Sequence, residues 1–273
     1  MSIISSSKLI HHTFKPWSVE DRFGNYAEAI SSRRTGIGGW GGNQRIVVDP
    51  ERWQRPFDWN KAAEGASVFC LASVDVFANG GEQVTNSSRQ PLQACEAGCC
   101  HSLKQNWEPI SCAGGVCPKC SRPLRELTLD DMRAELFNLI SQTRRLTWLL
   151  PTEYIKWVAD RLPVGWKAQQ WPHVWIGTVV RDQSTADRRI PILRSAPAAK
   201  RFVYYQPRGL INFQKVVGDS PLHSNIDWLI YNDDDSSHKG VGWGEVARFV
   251  QEQLDALNVA FSQFEQGDEE SPE

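Results

Sequence analysis

Little in this chain points to a partner through charge of one sign. Its 30 basic and 32 acidic residues leave a formal net charge of −2. That balance excludes a whole-chain attraction to nucleic acid or to an anionic membrane, and leaves room only for a local basic patch. No apolar run approaches the roughly 20 residues that a spanning helix needs, so no membrane role is expected. The start, Met1 to Phe14, carries serines and the pair His11-His12 where a secretory leader would be apolar. The cytoplasm is the expected compartment. Neither an HExxH sequence nor a Ser/His/Asp constellation is legible, which removes the commonest zinc-protease and serine-hydrolase chemistries. Gly36-Ile37-Gly38-Gly39-Trp40-Gly41-Gly42 is glycine-rich, yet it has no Lys-Ser/Thr after it and no strand before it. It reads as a loop, not as a phosphate cradle.

What the chain does have is cysteine in one place. Of seven cysteines in 273 residues, Cys95, Cys99, Cys100, Cys112, Cys117 and Cys120 crowd one short segment. In a reducing compartment clustered thiols are metal ligands before they are disulfides. Cys117-Pro118-Lys119-Cys120 is a knuckle, in which two thiolates turn around one ion at about 2.3 Å. A tetrahedral site needs four ligands. Cys95, with Cys99 or Cys100, joins Cys117 and Cys120 in the preferred set, and Cys112 and His101 stand as alternates. The expected cofactor is zinc, stapling a segment that lacks a core of its own. Cys112, Cys117 and Cys120 also have a C-x4-C-x2-C spacing, which keeps an iron–sulfur loop open as a competing assignment. Cys70, inside Val68-Phe69-Cys70-Leu71, is read as a small buried strand residue.

The rest of the chain is organised around this segment. Residues 1–90 are loop-rich, with one clear apolar run from Ser67 to Val74. Residues 91–126 read as a zinc-ribbon-like insertion. From Leu127 to residue 266 strand and helix patterns alternate. A helix starts at Leu129-Asp130-Asp131, a strand runs from Leu146 to Leu150, and Pro151 is expected to open a second helix through Asp160. Strands follow at Val174–Val180, Phe202–Tyr205, Ile226–Tyr231 and Val259–Phe264, with helices at Thr185–Leu193 and Trp243–Leu257. Residues 267–273 are an acidic tail. Alternation of this kind predicts a parallel sheet flanked by helices, open or closed as an α/β barrel.

Several blocks carry a family resemblance. Trp171-Pro172-His173-Val174-Trp175-Ile176-Gly177-Thr178-Val179-Val180, then Asp182-Gln183 and Ala186-Asp187-Arg188-Arg189-Ile190-Pro191, resemble the central signature of the phage Gp37/Gp68-like (DUF5131) family. Trp53-Gln54-Arg55-Pro56, Val68 to Phe77, and Ile226-Asp227-Trp228-Leu229-Ile230 match further blocks in order. The resemblance implies a radical-SAM-like partial (β/α) barrel of phage or mobile-element type. It also implies three cluster-binding cysteines between Trp17 and Tyr26. This chain instead reads Ser18-Val19-Glu20-Asp21-Arg22-Phe23-Gly24-Asn25, without a thiol. Polar family motifs are replaced as well, at Leu149-Leu150-Pro151-Thr152-Glu153, at Gln206-Pro207-Arg208-Gly209 and at Tyr231-Asn232-Asp233-Asp234-Asp235, while the apolar segments beside them are kept. No [4Fe–4S] cluster and no S-adenosylmethionine are therefore expected.

The expected function is that of a cluster-free, non-catalytic relative that binds a protein partner or a ligand. Nucleic acid is the alternative partner, through Arg144-Arg145, Arg181 with Arg188-Arg189, and Lys200-Arg201. An enzyme of altered chemistry would use Asp75, Glu153 or Asp233 as its acids and bases.

Overall fold

The computed structural model describes residues 12–21, 44–62, 65–70, 75–78, 83–86, 88–104, 107–111, 114–217, 225–232, 243–257 and 259–263. Its first elements are strands β1 (His12–Phe14), β2 (Ser18–Asp21) and β3 (Gln44–Val47), helix α1 (Pro50–Ala62), and strands β4 (Ser67–Cys70) and β5 (Gln83–Thr85). Strands β6 (Gln93–Cys95) and β7 (Leu124–Glu126) and helix α2 (Leu129–Gln142) follow, then β8 (Thr147–Thr152) and the short helix α3 (Val158–Arg161). The chain ends with β9 (Val174–Val180), α4 (Gln183–Ser195), β10 (Lys200–Tyr205), α5 (Phe213–Val217), β11 (Trp228–Tyr231), α6 (Trp243–Leu257) and β12 (Ala260–Gln263). Asp233, Asp234, Asp235, Cys112, His11, the glycine loop Gly36 to Gly42 and the tail 267–273 lie outside the described residues.

Two compact units divide the chain. One comprises Met1–Phe14, Trp59–Ala78 and Arg144–Glu273; the other comprises Lys15–Asp58 and Asn79–Thr143. The cysteine segment thus belongs to a unit larger than residues 91–126, one that includes β2, β3, β5 and α2.

The first unit is built on a seven-stranded sheet in the order β1-β4-β8-β9-β10-β11-β12, curled into a half-barrel. Every neighbouring pair is parallel. The order follows the sequence, so each connection returns the chain to the next place in the sheet, as the alternating pattern predicts. The central strands are apolar runs because both faces are covered. They show no alternation of buried and exposed positions: Ile176 to Val180, Phe202 to Tyr205 and Trp228 to Tyr231 are all buried. Phe69, Leu149, Val179, Phe202, Tyr204, Trp228 and Ile230 form one core cluster. At the sheet's first edge, Phe14 meets Trp148 edge-on at 5.6 Å, and the His12 ring stacks on Trp59 at 4.3 Å. His12 is a packing residue there.

Gly177 sits opposite Phe202 in the β9–β10 ladder. A Cβ at this position would stand 2.4 Å from two carbons of the Phe202 ring, and that ring is fully buried. Gly177→Ala is therefore expected to lower unfolding stability by about 1–3 kcal/mol through overpacking, measured by urea denaturation. Adding Phe202→Leu should recover part of the loss; an unchanged midpoint in the single variant would refute the crowding.

Pro151 departs from expectation. It lies inside β8, and the helical turn comes later, at Ile155–Trp157 and α3. The pairing of β8 with β4 ends at Leu149, whereas its pairing with β9 continues through Thr152. Pro151 thus lies past the described β4 pairing, within the stretch of β8 that pairs with β9.

Helix α4 begins where the chain caps it. Asp182 Oδ1 accepts from the Thr185 N–H (2.7 Å), and the Thr185 hydroxyl reaches back to the Asp182 N–H (3.0 Å). This fixes the direction of the chain just past β9, which matters below.

In the second unit, β3 pairs antiparallel with β2 and parallel with β5. Trp53 of α1 is buried, donates its indole N–H to the Pro16 carbonyl (2.7 Å) and packs on Trp107 at 5.0 Å. Leu92 N–H bonds Val84 O (2.8 Å), Leu127 N–H bonds Leu92 O (2.9 Å) and Val84 N–H bonds Leu127 O (3.2 Å). These bonds tie the base of the cysteine segment to β5. Helix α2 buries Leu129, Met132, Leu136, Phe137, Leu139 and Ile140, the stripe expected of an amphipathic helix. Its N-terminus is fixed by Asp131, which accepts from the Thr128 N–H (2.8 Å) and from Arg125 (2.6 Å).

Candidate functional site

The cysteine segment is a two-stranded antiparallel ribbon, β6 against β7, carrying two turns. The first runs from Cys95 to Cys99. The Gly98 N–H returns to the Cys95 carbonyl (2.8 Å), and Gly98 takes φ +71°, a backbone region that a side chain would strain. The second is Cys117-Pro118-Lys119-Cys120, closed by Ser121 N–H to Cys117 O (2.8 Å) and Cys117 N–H to Arg122 O (2.7 Å). Both turns aim sulfur at one point. Cys99 Sγ lies 3.5 Å from Cys95, 3.3 Å from Cys117 and 3.3 Å from Cys120, and Cys95 lies 3.4 Å from Cys120. All four sulfurs fall within 4.8 Å of one another. Four bonds of about 2.3 Å in a tetrahedron put sulfurs about 3.8 Å apart, so the set can hold one metal ion.

The electrostatics suit the same role. Burial works against a thiolate at Cys117, but the N–H groups of Lys119 and Cys120 and the neighbouring thiols outweigh it and bring Cys117 down to about 6. Cys99 is pushed up by its three sulfur neighbours, Cys117, Cys120 and Cys95. Several thiolates this close repel unless a cation sits among them. Cys100 is buried beside the group, and its carbonyl receives the Cys95 N–H (2.8 Å), but its sulfur is not one of the converging four. His101 is outside the set as well; its Nδ1 accepts from the Leu103 N–H at 3.3 Å. Of the expected ligands, then, Cys95, Cys99, Cys117 and Cys120 come together.

A second constellation occupies the carboxyl ends of the parallel strands, where α/β sheets place ligands. Asp75 follows β4, Thr152 and Glu153 end β8, Arg181 follows β9, and Gln206 follows β10. Asp75 is 6% exposed. Its Oδ1 accepts from the Thr152 hydroxyl (2.7 Å) and the Phe77 N–H (2.9 Å), and its Oδ2 from the Glu153 N–H (2.7 Å). Burial pushes Asp75 up to about 6 despite these three donors. The Glu153 side chain accepts from Arg181 (2.6 Å) and Arg189 (3.2 Å), and Arg181 also reaches Gln206 (3.2 Å). Burial opposes the Glu153 charge, but the two guanidiniums hold this carboxyl below its usual range. Asn232, after β11, donates to the Tyr204 hydroxyl (2.6 Å).

A model of the family described as "Protein of unknown function (DUF5131)" matches residues 123–271, more than half of the chain. The chain belongs to the DUF5131 family. No curated protein and no solved structure matches it. The DUF5131 match contains the strand-end network of Glu153, Arg181, Arg189 and Gln206. It begins after Cys120, so the four converging cysteines and Asp75 lie outside it.

Asp75 and Glu153, read from the sequence as candidate acids, are thus brought to adjoining strand ends. Sequence reasoning missed Arg181 and Arg189 as partners of Glu153 and took them for part of a basic surface. The other basic candidates are also engaged within the DUF5131 chain: Lys200 pairs with Asp227 (3.0 Å), and Arg201 donates to the Ala196 carbonyl (2.7 Å). Cys70 is buried, and burial raises its thiol well above the ordinary range. That is the state of an inert core residue. Among the described residues no helix is long and apolar enough to cross a membrane.

Proposed function

We propose that this DUF5131 protein is a cluster-free, non-catalytic relative of radical-SAM barrels, held together at its ribbon by one structural zinc and acting by binding a protein partner or a ligand. The observation that carries the reading is the convergence of Cys95, Cys99, Cys117 and Cys120 on one point. A closed set of four thiolates around one ion leaves no open position for substrate or water. It also engages Cys117 and Cys120, which an iron–sulfur loop with Cys112 would need. Thiolates of a cluster sit on different irons and stand further apart than sulfurs sharing one ion. The segment between Trp17 and Tyr26 supplies no thiol of its own.

The strand ends support binding over turnover. Glu153 is a fixed anion between two arginines, and both oxygens of Asp75 are occupied by protein donors. Glu153 is therefore not poised to exchange a proton near neutral pH, and Asp75, which burial pushes up to about 6, is closed off from a substrate by those donors. The setting that suits free thiols and zinc is a reducing cytoplasm, that of the host if the gene is carried by a phage.

The test is metal analysis together with anaerobic reconstitution. Purified protein is expected to carry one zinc per chain. After incubation with iron and sulfide it should show neither [4Fe–4S] absorption nor cleavage of S-adenosylmethionine. A stable cluster that cleaves the cofactor would overturn the proposal.

A further inference from the structure

We infer that the strand-end network around Arg181 and Arg189 is a binding site for a small, multiply charged oxyanion, such as the phosphate groups of a metabolite. This rests on the reading of the sheet's carboxyl edge as a binding surface, and it names the chemistry of the ligand.

A guanidinium offers five N–H donors in a planar fork and stays charged at any relevant pH. Arg181 uses only Nη2, toward Glu153 Oε1 and Gln206 Oε1. Its Nε and Nη1 have no hydrogen-bond partner among the described residues. Arg189 uses Nη1 on the Val179 carbonyl and Nη2 on Glu153 Oε2, which leaves its Nε. One carboxylate therefore holds two guanidiniums, and it fills part of their bonding capacity.

Side-chain exposures of 23% for Arg181 and 19% for Arg189, with 34% for Glu153, keep the group partly open to water. Both guanidiniums are fixed in place before any ligand arrives, Arg181 by Glu153 and Gln206, and Arg189 by a backbone carbonyl. Ordering costs on binding are correspondingly small. The Arg208 N–H closes the same turn on the Arg181 carbonyl (2.7 Å).

Helix α4 starts directly after Arg181 and is long enough to carry a terminal field. Asp182 caps only the Thr185 N–H with its side chain. The N–H groups of Gln183 and Ser184 have no partner among the described residues, and such groups favour an anion. Asp182 is the opposing charge at this end. It is held low by the Thr185 N–H and by Arg188 and Arg189. Arg181 and Arg189 together face one carboxylate, Glu153, so this pair of guanidiniums keeps one positive charge in surplus over the acceptor they share. Planar, preorganised guanidiniums are the side chains that best match phosphate and carboxylate oxygens.

The experiment is calorimetric titration of the full chain, at low ionic strength, with inorganic pyrophosphate in one arm and succinate in the other. Saturable binding of pyrophosphate identifies a phosphate site, and preferential binding of succinate a carboxylate site; either supports the inference. Arg181→Gln is expected to weaken binding about ten-fold or more, the scale of lost charge-assisted hydrogen bonds. Glu153→Gln should act in the opposite sense and tighten it, because it releases both arginines. Lys167→Gln, on an exposed turn away from these strand ends, should leave it unchanged. A network that serves only the fold would lose stability in the first two variants without any gain of anion affinity in the second. The inference is overturned if neither anion binds, or if Arg181→Gln binds as tightly as the natural protein. A cluster that cleaved S-adenosylmethionine would sink the non-catalytic reading but leave this affinity pattern intact, so the two failures are distinguishable.

Discussion

Chelation of the metal is expected to unfold the ribbon between Gln93 and Glu126 while leaving the half-barrel strands formed. The reason is that the sulfur-bearing turns of this segment have almost no core without it. Its compact cluster is Cys95, Cys100, Ile110 and Cys117, flanked by Cys99 and Leu124. Most of those are cysteines, and one isoleucine with part of a leucine cannot offset the entropy of ordering two turns. The ligand sulfurs are 3.3–3.5 Å apart, so removing a cation leaves thiols or thiolates in mutual contact. Structural zinc contributes on the order of 10 kcal/mol in small zinc domains, and here that contribution falls on one local segment. The expected readout is rapid proteolysis within residues 114–122 after treatment with a strong chelator, against resistance in the loaded protein. Cys99→Ser should reduce bound metal from one per chain to near zero, since Cys99 touches the other three sulfurs. Cys100→Ala and Cys70→Ala should keep one metal per chain. Retention of metal in Cys99→Ser, or its loss in Cys100→Ala, would show that a different set of four binds. Because each ligand must lose its proton, acidification should release the metal in the same order as chelation does.

How far the sequence reaches is clearest at the strand ends. The strands themselves are legible, because Val174–Val180 and Phe202–Tyr205 are continuous apolar runs of the length a buried parallel strand needs. Helix α4 is legible to within two residues at its start: the sequence reading opens it at Thr185, and the structure opens it at Gln183 behind the Asp182 cap. Pro151 is not. A proline after an apolar run is equally a first helical residue or part of a continuing strand, and only the register against β9 decides between them. The ribbon shows another limit. Spacing alone leaves Cys99 and Cys100 equivalent, and only the folded ribbon shows that the Cys99 sulfur is the one that converges with those of Cys95, Cys117 and Cys120. Glu153 and Arg181 are 28 residues apart, and Glu153 and Arg189 are 36 apart. Their meeting follows from the sheet order: in a parallel sheet built in sequence order, the residues just past consecutive strands become neighbours. Residues 153, 181, 206 and 232 could be grouped from the strand assignments once that order is assumed. The asymmetry between two arginines and one carboxylate then becomes readable as a site.

Replacing Asp75 by alanine is expected to cost about 3–5 kcal/mol, because it strands three buried donors at once, each worth about 1–3 kcal/mol when left without an acceptor. These are the Thr152 hydroxyl and the N–H groups of Phe77 and Glu153. Through the last of them Asp75 positions the turn that presents Glu153 to its arginines. Asp75→Asn keeps the volume but offers one oxygen to partners that now engage two, so a smaller loss of about 1–3 kcal/mol is expected. The pH dependence separates this from simple packing. Burial raises Asp75 from 3.8 to about 6 in the folded protein. Between those values the folded state binds more protons than the unfolded one, so this group's contribution to stability is fully present below pH about 4 and is lost as pH rises through about 6. At about 1.4 kcal/mol per pH unit the loss amounts to about 3 kcal/mol. Denaturation midpoints of the natural protein between pH 4 and 7 should therefore carry a downward component that Asp75→Asn lacks, and the carbon resonance of the Asp75 carboxyl should titrate near 6. Identical slopes in the two proteins, or a titration below 4, would mean that water reaches this carboxylate. The strand-end turn would then owe its shape to Thr152 and the arginines alone.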